Sequence, residues 1–523
     1  MKHETLAVMV TGLCLALPGC ASAAPAQGGV ARPATSGDPA ASPGGGAERP
    51  GAEAARGAVL SPATEGERQA PGARGAPGAP GPARAAASPQ TGGRLVALVR
   101  PDGTREPMWA EPGDVIAMGL GALPDGAVKY AIPYGGEREL RWTLQGKTLL
   151  VNGQVRALWL KDLTPAQAAA LVTKHRDTVD SILDDGPAAL SPEVLSALGR
   201  VRAKRLVLQL HRIKGLASQL PRLAKLGEKL HGLVLVAALV TDDDFQHLRS
   251  LQSLRALLLV DTALSDAGVP HIAFLTGLRT LHLTWAELSD VGLARLAHLR
   301  ALRRLRLQTT KATAAGWGHL AQLTRLRSLD LTRSSLDDKG AAALLTVKGL
   351  RSLKLRRTPI TDATLALVAG LEQLEHLDLE WTKVSHRGLQ RLQALTKLRS
   401  LNLNTTSVDD HGVHAISKIQ TLEHLNLGGA RLSVLGFGPI KHLKRLRFLD
   451  LAPTNTTDSD LRFLRDMAGL EALDLRNTLL TGRGLAMLGP KPALRYLNVK
   501  ETKVNPKLLT EFQGTHPGCV IHK

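Results

Sequence analysis

A leucine returns every 24 residues from Leu230 to Leu494, twelve times, with no insertion in the count. A fixed period of this length, with apolar residues locked to the same slots, predicts a solenoid whose units bury their cores only against their neighbours. The copy that opens Leu350-Arg-Ser-Leu353-Lys-Leu355 shows the plan. Leu353 and Leu355 flank Lys354 with a period of two, so a short strand forms there with its leucines inward and Lys354 outward. Leu365, Val368 and Leu371 then follow at spacings of three, which suits a helical turn or two on the outer side of the coil.

Eleven places after each opening leucine stands a residue able to cap that helix: Thr241, Ser265, Ser289, Thr313, Asp337, Thr361, Ser385, Asp409, Ser433, Thr457, Thr481 and Asn505. Each can accept a hydrogen bond from the first helical turn, and the acids that often follow, such as Asp266 and Asp362, suit its positive dipole end. With Gly292-Leu-Ala-Arg-Leu296 and Gly484-Leu-Ala-Met-Leu488, the pattern resembles the leucine-rich repeat family in its 24-residue bacterial form, the GALA type. The resemblance spans somewhat over half the chain. It implies an α/β solenoid with a parallel sheet on the concave face and short helices on the convex face. Family members mostly bind other macromolecules on the concave face, so it also implies a binding role. Threonine stands where many relatives carry asparagine after the strand, as at Thr310, Thr358, Thr382 and Thr406. No F-box-like segment accompanies the repeats, so that family role is not carried over.

Before the repeats, residues 1–20 read as an export signal: Lys2 is followed by an apolar run from Thr5 to Leu17, and Leu17-Pro-Gly-Cys20 resembles a lipobox that would place a lipid on Cys20. Cleavage after Ala23, behind Ala21-Ser-Ala23, is the alternative. Either way an exported, cell-envelope protein is expected, lipid-anchored at the outer membrane or cell surface if Cys20 is modified. Residues 21–93 are so rich in Ala, Pro and Gly that they predict a disordered linker, spanning on the order of 45 Å as a flexible coil. Residues 94–160 read as a small β-rich unit, with a hairpin around Asn152-Gly153. Residues 161–229 read as an N-terminal cap or degenerate repeats, 230–515 as the repeat domain and 516–523 as a tail.

The net charge of +20 invites a nucleic-acid partner, but export argues against one. Much of the charge falls one place after the opening leucine, at Arg255, Arg279, Arg303, Arg327, Arg351, Arg399, Arg447 and Arg495, which predicts a basic strip along one lip of the coil. Such a strip is either a solvated edge or a surface for anionic envelope polymers or lipid headgroups. The central outward slot runs Val234, Leu258, His282, Arg306, Asp330, Lys354, Asp378, Asn402, Asn426, Asp450, Asp474, Asn498. From Arg306 to Asp378 the signs alternate, and Arg356 stands beside Glu380 in the next slot, which predicts a self-neutralising ladder on a patterned polar face. Trp285 and Trp381 fall at its rim as candidate anchors for a partner. Asp450 and Asp474 are adjacent like charges that could hold a cation or an amine between them, unless Arg476 already compensates.

Catalysis finds little support. The chain has no His-Glu-x-x-His helix, no Gly-x-Ser-x-Gly elbow and no glycine-rich dinucleotide loop. Three cysteines, Cys14, Cys20 and Cys519, make neither a disulfide framework nor a thiolate metal site. His376 and His424 share a slot two strands apart, too far to share one metal ion. The expectation is a non-catalytic module that binds a protein or another envelope macromolecule, without cofactor, metal or nucleic acid. The rivals are an envelope-polymer hydrolase, with its site in residues 94–160 or at Asp450 and Asp474, an anionic glycan-binding protein, and a spacer between envelope layers.

Overall fold

The computed structural model describes residues 94–99, 105–110, 128–131, 140–145 and, apart from positions 152, 153, 161, 185, 204 and 214, residues 147–523. The expected signal, Cys20 and the linker to residue 93 lie outside these. Among the described residues no helix is long and apolar enough to cross a membrane.

Strand β1 (Arg94–Val99) pairs antiparallel with β2 (Arg105–Ala110) in a sheet of two. Next, β3 (Val128–Ala131), β4 (Leu140–Gln145), β5 (Thr148–Val151) and β6 (Gln154–Trp159) form an antiparallel ladder, in which β5 and β6 are the hairpin expected from Asn152-Gly153. The stretch to residue 160 is not walled off as a separate unit. Strand β6 runs parallel to β7 (Ser181–Asp184), which pairs with β8 (Leu206–His211), and that with β9 (Leu230–Val236). Residues 161–229 thus supply rungs of the sheet itself. Their spacing is loose: Ile182 faces Leu208 and Leu208 faces Leu233, and the ladder slips between Leu206 and Val207.

From β9 onward the sequence period and the sheet register coincide. Leu233 faces Leu257 of β10 (Ala256–Val260), which faces Leu281 of β11 (Thr280–Thr284). The slot continues through β12 (Arg304–Leu307), β13 (Ser328–Asp330), β14 (Ser352–Lys354), β15 (His376–Asp378) and β16 (Ser400–Asn402). It then passes through β17 (His424–Asn426), β18 (Phe448–Asp450), β19 (Ala472–Asp474) and β20 (Tyr496–Asn498). Residues 516–523, expected as a tail, instead add β21 (Val520–His522) beside β20. The reason is packing: helix Pro506–Thr515 buries Leu509 and Phe512 over the last repeat and returns the chain to the sheet at buried Cys519. Burial pushes the Cys519 thiol up to about 12, which disfavours its thiolate form. The result, among the described residues, is an open solenoid with sixteen parallel strands on one face, and one apolar core runs from Leu158 to Cys519.

The outer turns are bound to one another by a ladder of acids. Asp242, Asp266, Asp290, Asp338, Asp362, Asp410 and Asp458 each accept both the backbone N–H and the hydroxyl of the next repeat's capping residue. Thr361, for example, donates to Asp338 from its N–H at 2.9 Å and from Oγ1 at 2.6 Å. A single hydroxyl can serve both directions, since Ser289 Oγ donates to Asp266 and accepts from Val291 N–H. Thr313 departs from the expected capping: its hydroxyl goes to Asp290 and makes no bond to its own helix. The glycine of the Gly-Leu-Ala motif now has a cause. A Cβ at Gly292 would overlap the Asp266 carboxylate, and one at Gly484 would meet Asp458. Thr364, in the same slot, instead donates its hydroxyl to Asp338 at 2.5 Å. The threonines after the strands close their own turns: Thr358, Thr382 and Thr406 donate to the carbonyls of Leu355, Leu379 and Leu403 at 2.5, 2.6 and 2.6 Å.

Candidate interaction surface

With the leucines turned inward, alternate strand residues face the concave side. Most of the acids and amides of the central slot are occupied by their own backbone. Asp330 accepts from Thr332 N–H at 3.0 Å, Asp378 from Glu380 at 3.0 Å, Asn402 from Asn404 at 3.0 Å, Asp450 from Ala452 at 2.9 Å and Asp474 from Arg476 at 2.9 Å. These are Asx turns, which hold the chain as it leaves each strand. Lys354 shares the slot and has no oxygen with which to make one.

Sideways, the ladder expected from the alternating signs is present in part. Arg306 Nε lies 2.7 Å from Asp330 Oδ2, and Arg356 Nη2 lies 2.8 Å from Glu380 Oε1. Asn402 donates to Glu380 at 3.2 Å. Burial works against the charge of Asp330, but Arg306, Lys354 and Thr332 outweigh it and hold its carboxyl at about 2. Burial dominates at Asp378, which rises to about 6 with Glu380 nearby, against the pull of Lys354 and Arg356. Asp450 and Asp474 are both pushed up by burial, Asp450 also by the facing carboxyl of Asp474. Both carboxyls, weighed from the sequence as holders of a cation or an amine, are engaged by neighbouring amides. Their second oxygens accept from Asn426 at 2.9 Å and Asn498 at 3.1 Å, and among the described residues no three metal-ligating side chains come together. The buried His424 is held at about 3 by burial, with His376 and Arg447 adding to the effect.

The lip expected as one basic strip divides in two. From Arg351 onward, glutamates alternate with the arginines: Arg351 meets Glu375 at 3.1 Å, Arg399 meets Glu423 at 2.9 Å and Arg447 meets Glu471 at 2.7 Å. Before that point no acid intervenes among Arg255, Arg279, Arg303 and Arg327. Arg327 spans carbonyls of Leu326 and Gly349, whereas Arg279 and Arg303 are exposed with no ion pair among the described residues.

At the opposite rim the chain turns through a left-handed residue after almost every strand. In that slot stand Trp285 (φ 63°), Thr309 (58°), Arg333 (60°), Arg357 (54°), Trp381 (57°) and Thr405 (53°). Trp285 is 48% and Trp381 50% exposed, as anchors would be, and Arg357 lies over the Trp381 ring with Cζ 5.0 Å from its centre. The sequence analysis missed Arg333 and Arg357. Following the slot of the two tryptophans along the repeats finds both, after β13 and β14, with Thr309 after β12. It also missed His386, whose Nδ1 lies 3.1 Å from Asp409 and takes the place of a ladder acid.

Residues 276–297 and 322–345 match the family model described as Leucine Rich repeat. No curated protein is similar in sequence. Among solved structures, an internalin from Listeria monocytogenes is 21% identical over 63% of this chain and 88% of its own, with a TM-score of 0.46. A leucine-rich repeat protein from Leptospira interrogans is 17% identical over 69% of this chain and 99% of its own, with a TM-score of 0.45. In fold the chain is a leucine-rich repeat solenoid, and two of its repeats carry the sequence of that family.

Proposed function

We propose that the protein is a non-catalytic interaction module of the bacterial cell envelope that binds another protein through the concave face and rim of the solenoid. The observation that carries this is the pair of half-exposed tryptophans, Trp285 and Trp381, each in the left-handed turn after a strand, at the rim of a concave face rich in charged side chains. Large aromatic groups held in water at fixed positions are what partner-binding surfaces use as anchors. Around them lie Arg306, Asp330, Lys354, Arg356, Asp378, Glu380 and Asn402, with Asp450 and Asp474 farther along. The repeats are of the GALA type, and Cys20 carries the lipid that tethers the exported chain to the outer membrane or cell surface. A pull-down from the native envelope tests the module: the partner enriched by the intact protein is lost with the Trp285→Ala, Trp381→Ala variant. Unchanged capture would sink the proposal. Cys20→Ser abolishes labelling by a radioactive fatty acid if the anchor is as stated.

The hydrolase alternative needs Asp450 or Asp474 as an acid or nucleophile. Each spends both carboxylate oxygens on N–H donors of its own chain, which favours a structural role. An envelope-polymer hydrolysis activity that disappears in a folded Asp474→Asn variant would reverse this choice.

A further inference from the structure

We propose that the rim between Trp285 and Trp381 binds an extended acidic segment of the partner protein, apolar at both ends. This rests on the module reading and names its ligand. The rim slot reads Trp285, Thr309, Arg333, Arg357, Trp381, one residue per strand. Parallel strands stand about 4.8 Å apart, so the two rings lie about 19 Å from one another, the reach of about six extended residues at about 3.3 Å each. Apolar side chains at the two ends of such a segment meet the indoles, and carboxylates between them meet the arginines.

Charge selects the segment's middle. Arg333 has no ion pair among the described residues. Arg357 lies over the Trp381 ring, a cation–π contact that keeps its charge beside the indole. Inside the rim, the concave slots of β11 to β14 carry Arg304, Arg306, Lys354 and Arg356; Arg306 pairs with Asp330 and Arg356 with Glu380 of β15, and Arg304 and Lys354 leave the excess positive. Across the sheet, Arg279 and Arg303 add positive charge at the far lip. A surface of one sign bounded by low-dielectric walls draws in the opposite sign. The sign reverses at β15, with Glu375, Asp378 and Glu380, so the acidic segment is confined to the strands before it.

A peptide fits better than another polyanion. Nucleic acid bound as a single strand stacks successive rings, and here three rungs lie between the two aromatic platforms exposed on the rim among the described residues. Tryptophan and arginine together are the composition of protein hot spots.

The probe is a capped synthetic peptide of glutamates between two leucines, titrated into the full chain by calorimetry. Glutamine-for-glutamate, oligogalacturonate and oligothymidylate probes of equal length are run beside it. The acidic peptide binds, its glutamine counterpart binds about tenfold more weakly or worse, and affinity falls about tenfold between about 0.05 and about 0.5 M salt. The Arg303→Glu, Arg333→Glu variant weakens binding about tenfold or more, while Arg495→Glu, at the far end of the coil, leaves it unchanged; circular dichroism verifies that both fold. Equal binding of the glutamine peptide, tighter binding of oligogalacturonate or oligothymidylate, or no loss in the double charge reversal overturns the proposal. If the envelope partner is lost with the two tryptophans but retained by the Arg303→Glu, Arg333→Glu variant, the module stands and the acidic segment falls.

Discussion

At the scale of single residues, two unfavourable conformations or charges stand out, and both are consequences of repetition. Almost every turn out of a strand uses a left-handed residue, and the chain fills this slot with Trp, Arg and Thr as well as Gly429. A β-branched residue is the least suited. Thr309→Asn is therefore expected to stabilise by about 0.5 kcal/mol, read as a small rise in melting temperature. Asp378 sits in a slot where Asn402 and Asn426 make the same turn without a charge. Its folded pKa of about 6 lies above the unfolded value of about 4, so the stability it contributes is full below the lower value and is lost as pH rises through the higher one. Thermal unfolding across pH checks this: Asp378→Asn should gain roughly 1 kcal/mol or more at pH 8 and almost nothing at pH 4. A gain equal at both pH values would refute the charge argument. The capping hydroxyls were legible in the sequence because each depends on a local spacing. The acids that grip them from the preceding repeat were visible only as dipole partners, because their bond crosses 23 residues.

At the scale of the element, the repeat is locked by a matched acid and glycine. Gly292→Ala would press its methyl into the Asp266 carboxylate, at an expected cost of about 1–3 kcal/mol. The loss should shrink when Asp266→Ala is added, and a double-mutant cycle measures the coupling. Additive losses would show that the two do not meet. Asp362→Ala, which strips the N–H and hydroxyl of Ser385 of their acceptor, should cost about 1–3 kcal/mol in urea unfolding. The lip shows how a slot read alone misleads. Its arginines suggested one continuous strip, yet Glu375, Glu423 and Glu471 occupy the same slot and neutralise its second half.

At the scale of the whole molecule, stability passes from rung to rung, so the ends matter most. Helix Pro506–Thr515 and β21 close the core over Leu485, Leu488 and Leu497. Removing residues 506–523 should expose that core and leave the protein insoluble on expression or lower its melting temperature by several degrees or more. Full solubility with an unchanged melting temperature would mean that the last repeat needs no cover.

The period of the leucines by itself determined the coil, the inward face of each strand, the helix starts and which side chains reach the concave surface, because all of these follow from spacing along one repeat. Only the tertiary structure decided how those side chains are used. Whether Asp330 is a ligand or the partner of Arg306, whether Asp474 seeks a cation or holds its own turn, and whether two tryptophans four repeats apart belong to one rim all depend on neighbours brought together across the sheet. A single repeat contains none of those contacts, since each rung is completed by the one beside it.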